Sequence, residues 1–163
     1  MRYRILVPAI IAALAATSVA RDASAQGITI GAGLGGVLNE RRELPSSFDD
    51  LTHKMAFVSL RLPLLPVEVR GEGMWPKDPT QSGARAYIVS GVLSIPLVIV
   101  TPYAQAGWGD YNFGDPDRSK WSAGLGARLN LGSLGIFVEA TRYNRMNTDL
   151  ITGGLTFSTG GGK

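Results

Sequence analysis

The chain has 163 residues, no cysteine and a formal net charge of +3. The absence of cysteine excludes disulfides, thiolate metal sites and a lipid-bearing cysteine behind the N-terminal leader. The leader itself carries Arg2, Arg4, Arg21 and Asp22, so the remainder balances at 13 basic against 12 acidic residues, and charge gives no argument for nucleic-acid binding.

Residues 1–25 read as a signal peptide. Arg2 and Arg4 form a basic start, residues 5–20 are apolar apart from Thr17 and Ser18, and Ala23-Ser24-Ala25 is a small-residue cleavage site before Gln26. A membrane-anchoring helix fits less well, because the apolar run is short and broken by Pro8. The remaining chain has the length of one domain. The expected division is a signal peptide at 1–25, a barrel at 26–158 and a short flexible tail at 159–163.

Eight stretches with period-2 patterning follow, at 27–36, 53–62, 66–75, 85–95, 98–108, 120–131, 134–143 and 149–158. Their connectors hold 16, 3, 9, 2, 11, 2 and 5 residues, alternating long and short. In the first stretch Ile28, Ile30, Ala32 and Leu34 oppose Thr29 and three glycines. In the sixth, Trp121, Ala123, Leu125, Ala127, Leu129 and Leu131 oppose Lys120, Ser122, Gly124, Gly126, Arg128 and Asn130. Residues 88–100 are almost wholly apolar but contain Pro96 and many β-branched side chains. They read as a tight hairpin around Pro96-Leu97 rather than a membrane helix, with Pro102 as the weak point of the next strand.

This wiring predicts an all-β fold: an eight-stranded antiparallel up-and-down transmembrane β-barrel, with long loops on one side of a membrane and tight turns on the other. The long loops are expected at 37–52, 76–84, 109–119 and 144–148. The polar faces carry Arg61, Arg70 and Arg128 against Glu68, Glu72 and Glu139, three of each sign. In so narrow a barrel these faces point inward, so the six residues are expected to form an ion-pair network that fills the lumen. Trp75, Trp108, Trp121 and Tyr143 border long connectors and are expected to form an interfacial girdle, opposite Pro63, Pro66 and Pro96 at the short turns.

The run Thr101-Pro102-Tyr103-Ala104-Gln105-Ala106-Gly107-Trp108-Gly109 resembles the fifth-strand Pro-Tyr-x-x-Ala-Gly-x-Gly segment of small outer-membrane barrels of the opacity-protein-like "porin family". These are related in architecture to the transmembrane barrel of outer membrane protein A. Leu125-Gly126-Ala127-Arg128 is similar to that family's following strand, and Phe137-Val138-Glu139-Ala140-Thr141-Arg142-Tyr143 to its seventh. The resemblance covers the C-terminal half by motif and the first half by pattern alone. It implies periplasmic termini, assembly by the barrel-insertion machinery and contact with outer-membrane lipid and lipopolysaccharide. Family members end on an aromatic residue. Here Phe157 is followed by Ser158-Thr159-Gly160-Gly161-Gly162-Lys163, so 151–157 would be the insertion signal.

No catalytic, cofactor or metal site is expected. Gly31-Ala32-Gly33-Leu34-Gly35-Gly36 satisfies the G-x-G-x-x-G spacing, but Pro45 stops any helix after it. His53, the single histidine, could in principle form a nucleophile–base pair with Ser59 or Ser47, but it sits at a loop–strand junction with no recognisable partner spacing, and a solvated or interfacial position is expected for it. Asp110, Asn112, Asp115 and Asp117 lack the frame of a calcium loop and read as turn formers. The expected role is structural or surface interaction by a monomer, with an extracellular ligand meeting the loops. A narrow channel is the alternative, followed by a lipid-modifying enzyme resting on His53 and a soluble ligand-binding barrel. The face of Arg128 separates the last from the others: inward and paired fits a membrane barrel, outward and hydrated a soluble one.

Overall fold

The computed structural model describes residues 27–38, 47, 50–62, 65–77, 85–95, 97, 99–112, 121–144 and 149–159. The signal peptide, the tail beyond Thr159 and most of the long loops lie outside the described residues. Eight strands follow in chain order: β1 (Ile28–Leu38), β2 (Leu51–Arg61), β3 (Val67–Pro76), β4 (Arg85–Ser94), β5 (Val100–Asn112), β6 (Trp121–Leu131), β7 (Leu134–Tyr143) and β8 (Asp149–Thr159). Each pairs antiparallel with the next, and β8 pairs with β1, from Ile28↔Thr159 to Leu38↔Asp149, to close the barrel. Closure leaves no unpaired sheet edge.

Side chains alternate between the two faces as a pleated strand requires. On β7, Phe137, Glu139, Thr141 and Tyr143 are buried inside, while Leu134, Ile136, Val138, Ala140 and Arg142 are exposed outside. The same alternation puts Glu68, Arg70, Glu72 and Met74 of β3 in the interior and Val69 on the exterior. The exterior is broadly apolar, with Ile30, Val58, Val89, Leu125, Ile136 and Leu155 all exposed. The interior is not uniformly polar. An apolar cluster containing Met55, Met74, Ile88, Tyr143 and Leu150 occupies the end nearest the long connectors.

Among the differences in strand boundary from the sequence reading, three are the most informative. β1 runs on to Leu38 because Val37 and Leu38 pair with Leu150 and Asp149. β2 begins at Leu51, two residues early, through a bulge at Gly35/Gly36. β5 continues to Asn112, so residues 109–112 leave the third loop and pair with residues 85–88 of β4. Backbone amides on the facing strand demand partners, and that requirement outweighs the local turn preference of Gly109-Asp110. β4 and β5 pair as the expected hairpin, although Pro96 of the expected turn lies outside the described residues, and Pro102 is accommodated within β5, its carbonyl accepting from Ile95 N at 3.0 Å. The tight turn between β6 and β7 places Gly132 at φ 74°, a region two-residue hairpins use and side chains disfavour.

Interior glycines make room for large neighbours. A Cβ at Gly31 would collide with the Phe57 ring, and one at Gly126 with the Tyr103 ring. The lumen is therefore filled by aromatic rings laid over glycines on the adjacent strand. Gly126→Val is expected to destabilise the barrel by about 1–3 kcal/mol through overpacking. Gly71→Ala, where no atom lies within 4 Å of the new methyl, is expected to have little effect. Urea unfolding of the detergent-folded protein, followed by tryptophan fluorescence, measures both.

Candidate functional site

The charged residues of the lumen form two clusters at successive levels. In the first, near the short connectors, the Glu68 carboxylate of β3 receives Arg61 Nη2 of β2 at 3.4 Å and Arg128 Nη1 of β6 at 3.5 Å. Arg61 lies at the rim, its side chain 48% exposed, whereas Glu68 and Arg128 are buried. Arg128 thus faces inward and is paired.

The second cluster crosses the barrel. Arg70 of β3 is fully buried and donates through Nη1 to Glu139 Oε2 of β7 at 2.8 Å and to Gln105 Oε1 of β5 at 2.8 Å. Tyr103 Oη donates to the same Glu139 oxygen at 2.8 Å, and Gln105 Nε2 donates to Thr141 Oγ1 at 3.0 Å. The guanidinium also lies 4.2 Å from the Phe57 ring centroid and 5.2 Å from that of Tyr103, cation–π contacts that gain strength away from water. Phe57 meets Phe137 edge to face at 5.4 Å. A buried charge is tolerated when it is paired and its remaining hydrogen-bonding capacity is used. Arg70 approaches that condition, with Nη2 the one atom left without a partner.

Of the six lumen residues picked out in the sequence, Arg61, Glu68 and Arg128 meet in one cluster and Arg70 and Glu139 in the other. Glu72 joins neither. It is buried on the same face of β3 and lies within Coulombic reach of Arg70, but no hydrogen bond or ion pair ties it to another described residue, and its Oε2 is unpartnered. Ser59, Tyr103, Gln105 and Thr141 complete the second cluster and were not picked out as lumen residues in the sequence. The signal was present: Thr101, Tyr103 and Gln105 share one parity of β5, and that parity points inward.

The aromatic girdle needs correction. Trp108 and Trp121 are exposed on the exterior and pair directly across β5 and β6, while Trp75 is half-buried on the outer face of β3. Trp108 lies four residues inside the end of β5, not at the strand end. Tyr143 is buried in the interior at 1% exposure, because it shares the parity of Glu139 and Thr141. Tyr87, not assigned to the girdle in the sequence, takes an outward position and meets Trp75 edge to face at 6.2 Å.

His53 is also corrected. It is buried rather than solvated, with Nε2 2.9 Å from Thr152 Oγ1 and Nδ1 3.3 Å from Thr52 Oγ1. The early start of β2 brings it inside the strand, and Gly35 opposite leaves space for the ring. Ser59, six positions along the same strand, is about 20 Å away at the rise of a β-strand. Ser47 is exposed, with its amide bonded to Asp50. Neither serine forms a nucleophile–base pair with the imidazole. Residues 31–36, which match the dinucleotide fingerprint, all lie within β1. Among the described residues, no group of three or more metal-ligating side chains converges. Asp110 belongs to β5, and Asp115 and Asp117 lie outside the described residues.

No protein-family profile matches the chain, and no curated protein sequence matches it. Among solved structures it is similar to the solution NMR structure of a de novo designed transmembrane β-barrel, TMB2.3, with a TM-score of 0.52 and 18% identity over 81% of this chain and 91% of that one. At that identity the likeness is one of fold.

Removing one partner of the central pair isolates a buried charge. Arg70→Met is expected to cost about 3–5 kcal/mol, and the double variant Arg70→Met/Glu139→Leu to recover most of that loss. Equilibrium unfolding of the two variants beside the wild type measures the difference.

Proposed function

We propose that this chain is an outer-membrane β-barrel protein with a structural or surface-interaction role and a lumen closed by its own side chains. The observation that carries the reading is the inversion of polarity. Arg70, Glu68, Arg128 and Glu139 are buried inside while Val89, Leu125, Ile136 and Leu155 are exposed outside. In water such an exterior is costly and prone to association. In lipid it is the favourable arrangement, and closure leaves no strand edge to be satisfied by solvent. A ten-residue strand such as β7, at about 3.3 Å per residue and a tilt near 40°, rises about 25 Å along the barrel axis, the height of an apolar band. The likeness to a designed transmembrane barrel supports the same reading.

Insertion in an outer membrane rests on the signal-peptide reading of residues 1–25 and on the alternation of connector lengths. It brings as partners the assembly machinery, lipopolysaccharide and an extracellular ligand at the long loops. The chain acts as a monomer in this reading and is not an enzyme, since its single histidine is engaged by threonine hydroxyls. A channel for small solutes is the second reading. Against it stand Arg70, Gln105, Tyr103 and Glu139, bonded across the lumen at one level.

The protein is expected to fractionate with outer membranes, to migrate differently on gels before and after boiling, and to give no stable conductance in planar bilayers. Recovery as a soluble periplasmic monomer overturns the membrane assignment. Steady conductance by the wild type replaces the closed lumen with the channel.

A further inference from the structure

The outer surface over β8, β1, β2 and β3 is not smooth. Registered neighbours arrange its outward side chains in rows across the strands. One row runs Trp75, Lys54, Leu34, Gly153, and the next, farther from the long connectors, runs Gly73, Ala56, Ala32, Leu155. Small residues fall together at Gly73, Ala56, Ala32 and Gly153, between the larger walls of Trp75, Leu34 and Leu155. The result is an open groove of about 950 Å³ with an almost wholly apolar lining and Lys54 on its margin. The Trp75 indole lies down over Gly73, where an added Cβ would come within 2.6 Å of the ring, and braces against Tyr87. That wall is therefore fixed by packing.

Lys54 is the one charged side chain on the outward faces of β1, β2 and β3, and no hydrogen bond or ion pair joins it to another described residue. The outward-facing Arg142, by contrast, lies 3.6 Å from Asp149. A cation at the loop-side end of an apolar groove, beside an indole, matches a lipid with an anionic head and a hydrocarbon tail in charge, polarity and order. We infer that this groove binds one phosphate-bearing anionic lipid of the leaflet on the long-connector side, with its phosphate on the Lys54 ammonium and an acyl chain laid over Ala56, Ala32 and Gly153 against Trp75; phosphatidylglycerol serves as its probe. The inference rests on the membrane reading above and adds a specific lipid site to it. The competing occupant is a second copy of this chain, whose flat strands would also pack on small residues.

Trp75 supplies the probe. A Trp108→Phe/Trp121→Phe background leaves it as the single tryptophan, since the chain has three. The protein is folded in phosphatidylcholine vesicles and titrated with phosphatidylglycerol or phosphatidylcholine brominated on the acyl chains, which quench on contact. Half-maximal quenching by the phosphatidylglycerol is expected at about fivefold lower mole fraction, the value of one lysine near an anionic headgroup. Lys54→Gln is expected to abolish the preference, and Ala56→Leu, which fills the floor, to reduce quenching by both lipids. Heat-modifiable migration verifies that each variant is folded, and native mass spectrometry of the unsubstituted protein with the same lipids gives a readout that needs no variant. Equal quenching by the two lipids, or a preference that survives Lys54→Gln, overturns the site. A dimer that Ala56→Leu dissociates assigns the groove to a second copy and overturns it equally. A Trp75→Phe/Trp121→Phe variant reporting through Trp108 separates the two levels: quenching there without selectivity at Trp75 defeats the lipid site alone, and no quenching at either position defeats the membrane reading.

Discussion

Closure of the sheet by the β1–β8 pairing is the constraint on which the rest depends. It satisfies the outermost strands' amides and carbonyls and divides every side chain between an enclosed face and an open one. Once the ring is shut, strand parity has a fixed meaning in each element. A residue on the enclosed face must fit a narrow space and, if charged, find a partner there.

The lumen meets both demands through pairing of unlike sizes. Rings of Phe57 and Tyr103 lie over glycines on adjacent strands, and the Phe137 ring reaches Gly33 two strands away, so large and small side chains interleave rather than collide. Arg70 threads between those rings and ends on Glu139 and Gln105. Its apolar and aromatic surroundings remove water, and that removal is what makes the Glu139 contact matter. Towards the long connectors the filling turns more apolar, with Met55, Met74, Ile88 and Leu150, while the buried His53 at that end is held by Thr152. The interior is therefore graded, ionic at one end and hydrocarbon-like at the other.

The exterior follows other rules. Among the described residues no further strand or layer covers it, so its composition is free to match whatever surrounds the barrel. Aliphatic side chains dominate, with tryptophans and Tyr87 towards the long-connector end. Small residues there are as informative as large ones, because in register across four strands they leave a depression with a single lysine at its margin.

Strand number, the order of long and short connectors and the inward face of Arg128 and Glu139 were legible in the sequence. All three are local: period-2 alternation is written residue by residue and does not depend on which strands meet. Parity also held the positions of Tyr143 and Gln105, but Tyr143 was read as an aromatic at a strand end before it was read as a neighbour of Thr141. Strand extent was less legible, since β5 reaches Asn112 only because β4 offers amides for it to pair with. What tertiary structure alone decided is which charges meet. Arg70 finds Glu139 four strands away, Arg128 reaches Glu68, and Glu72 is left without a bond. Those choices depend on strand stagger, side-chain reach and the space left by glycines across the barrel. The sequence determined that the charges lie inside, because facing is a property of one strand, and only the closed barrel decided their partners, because distance across a lumen is a property of all eight.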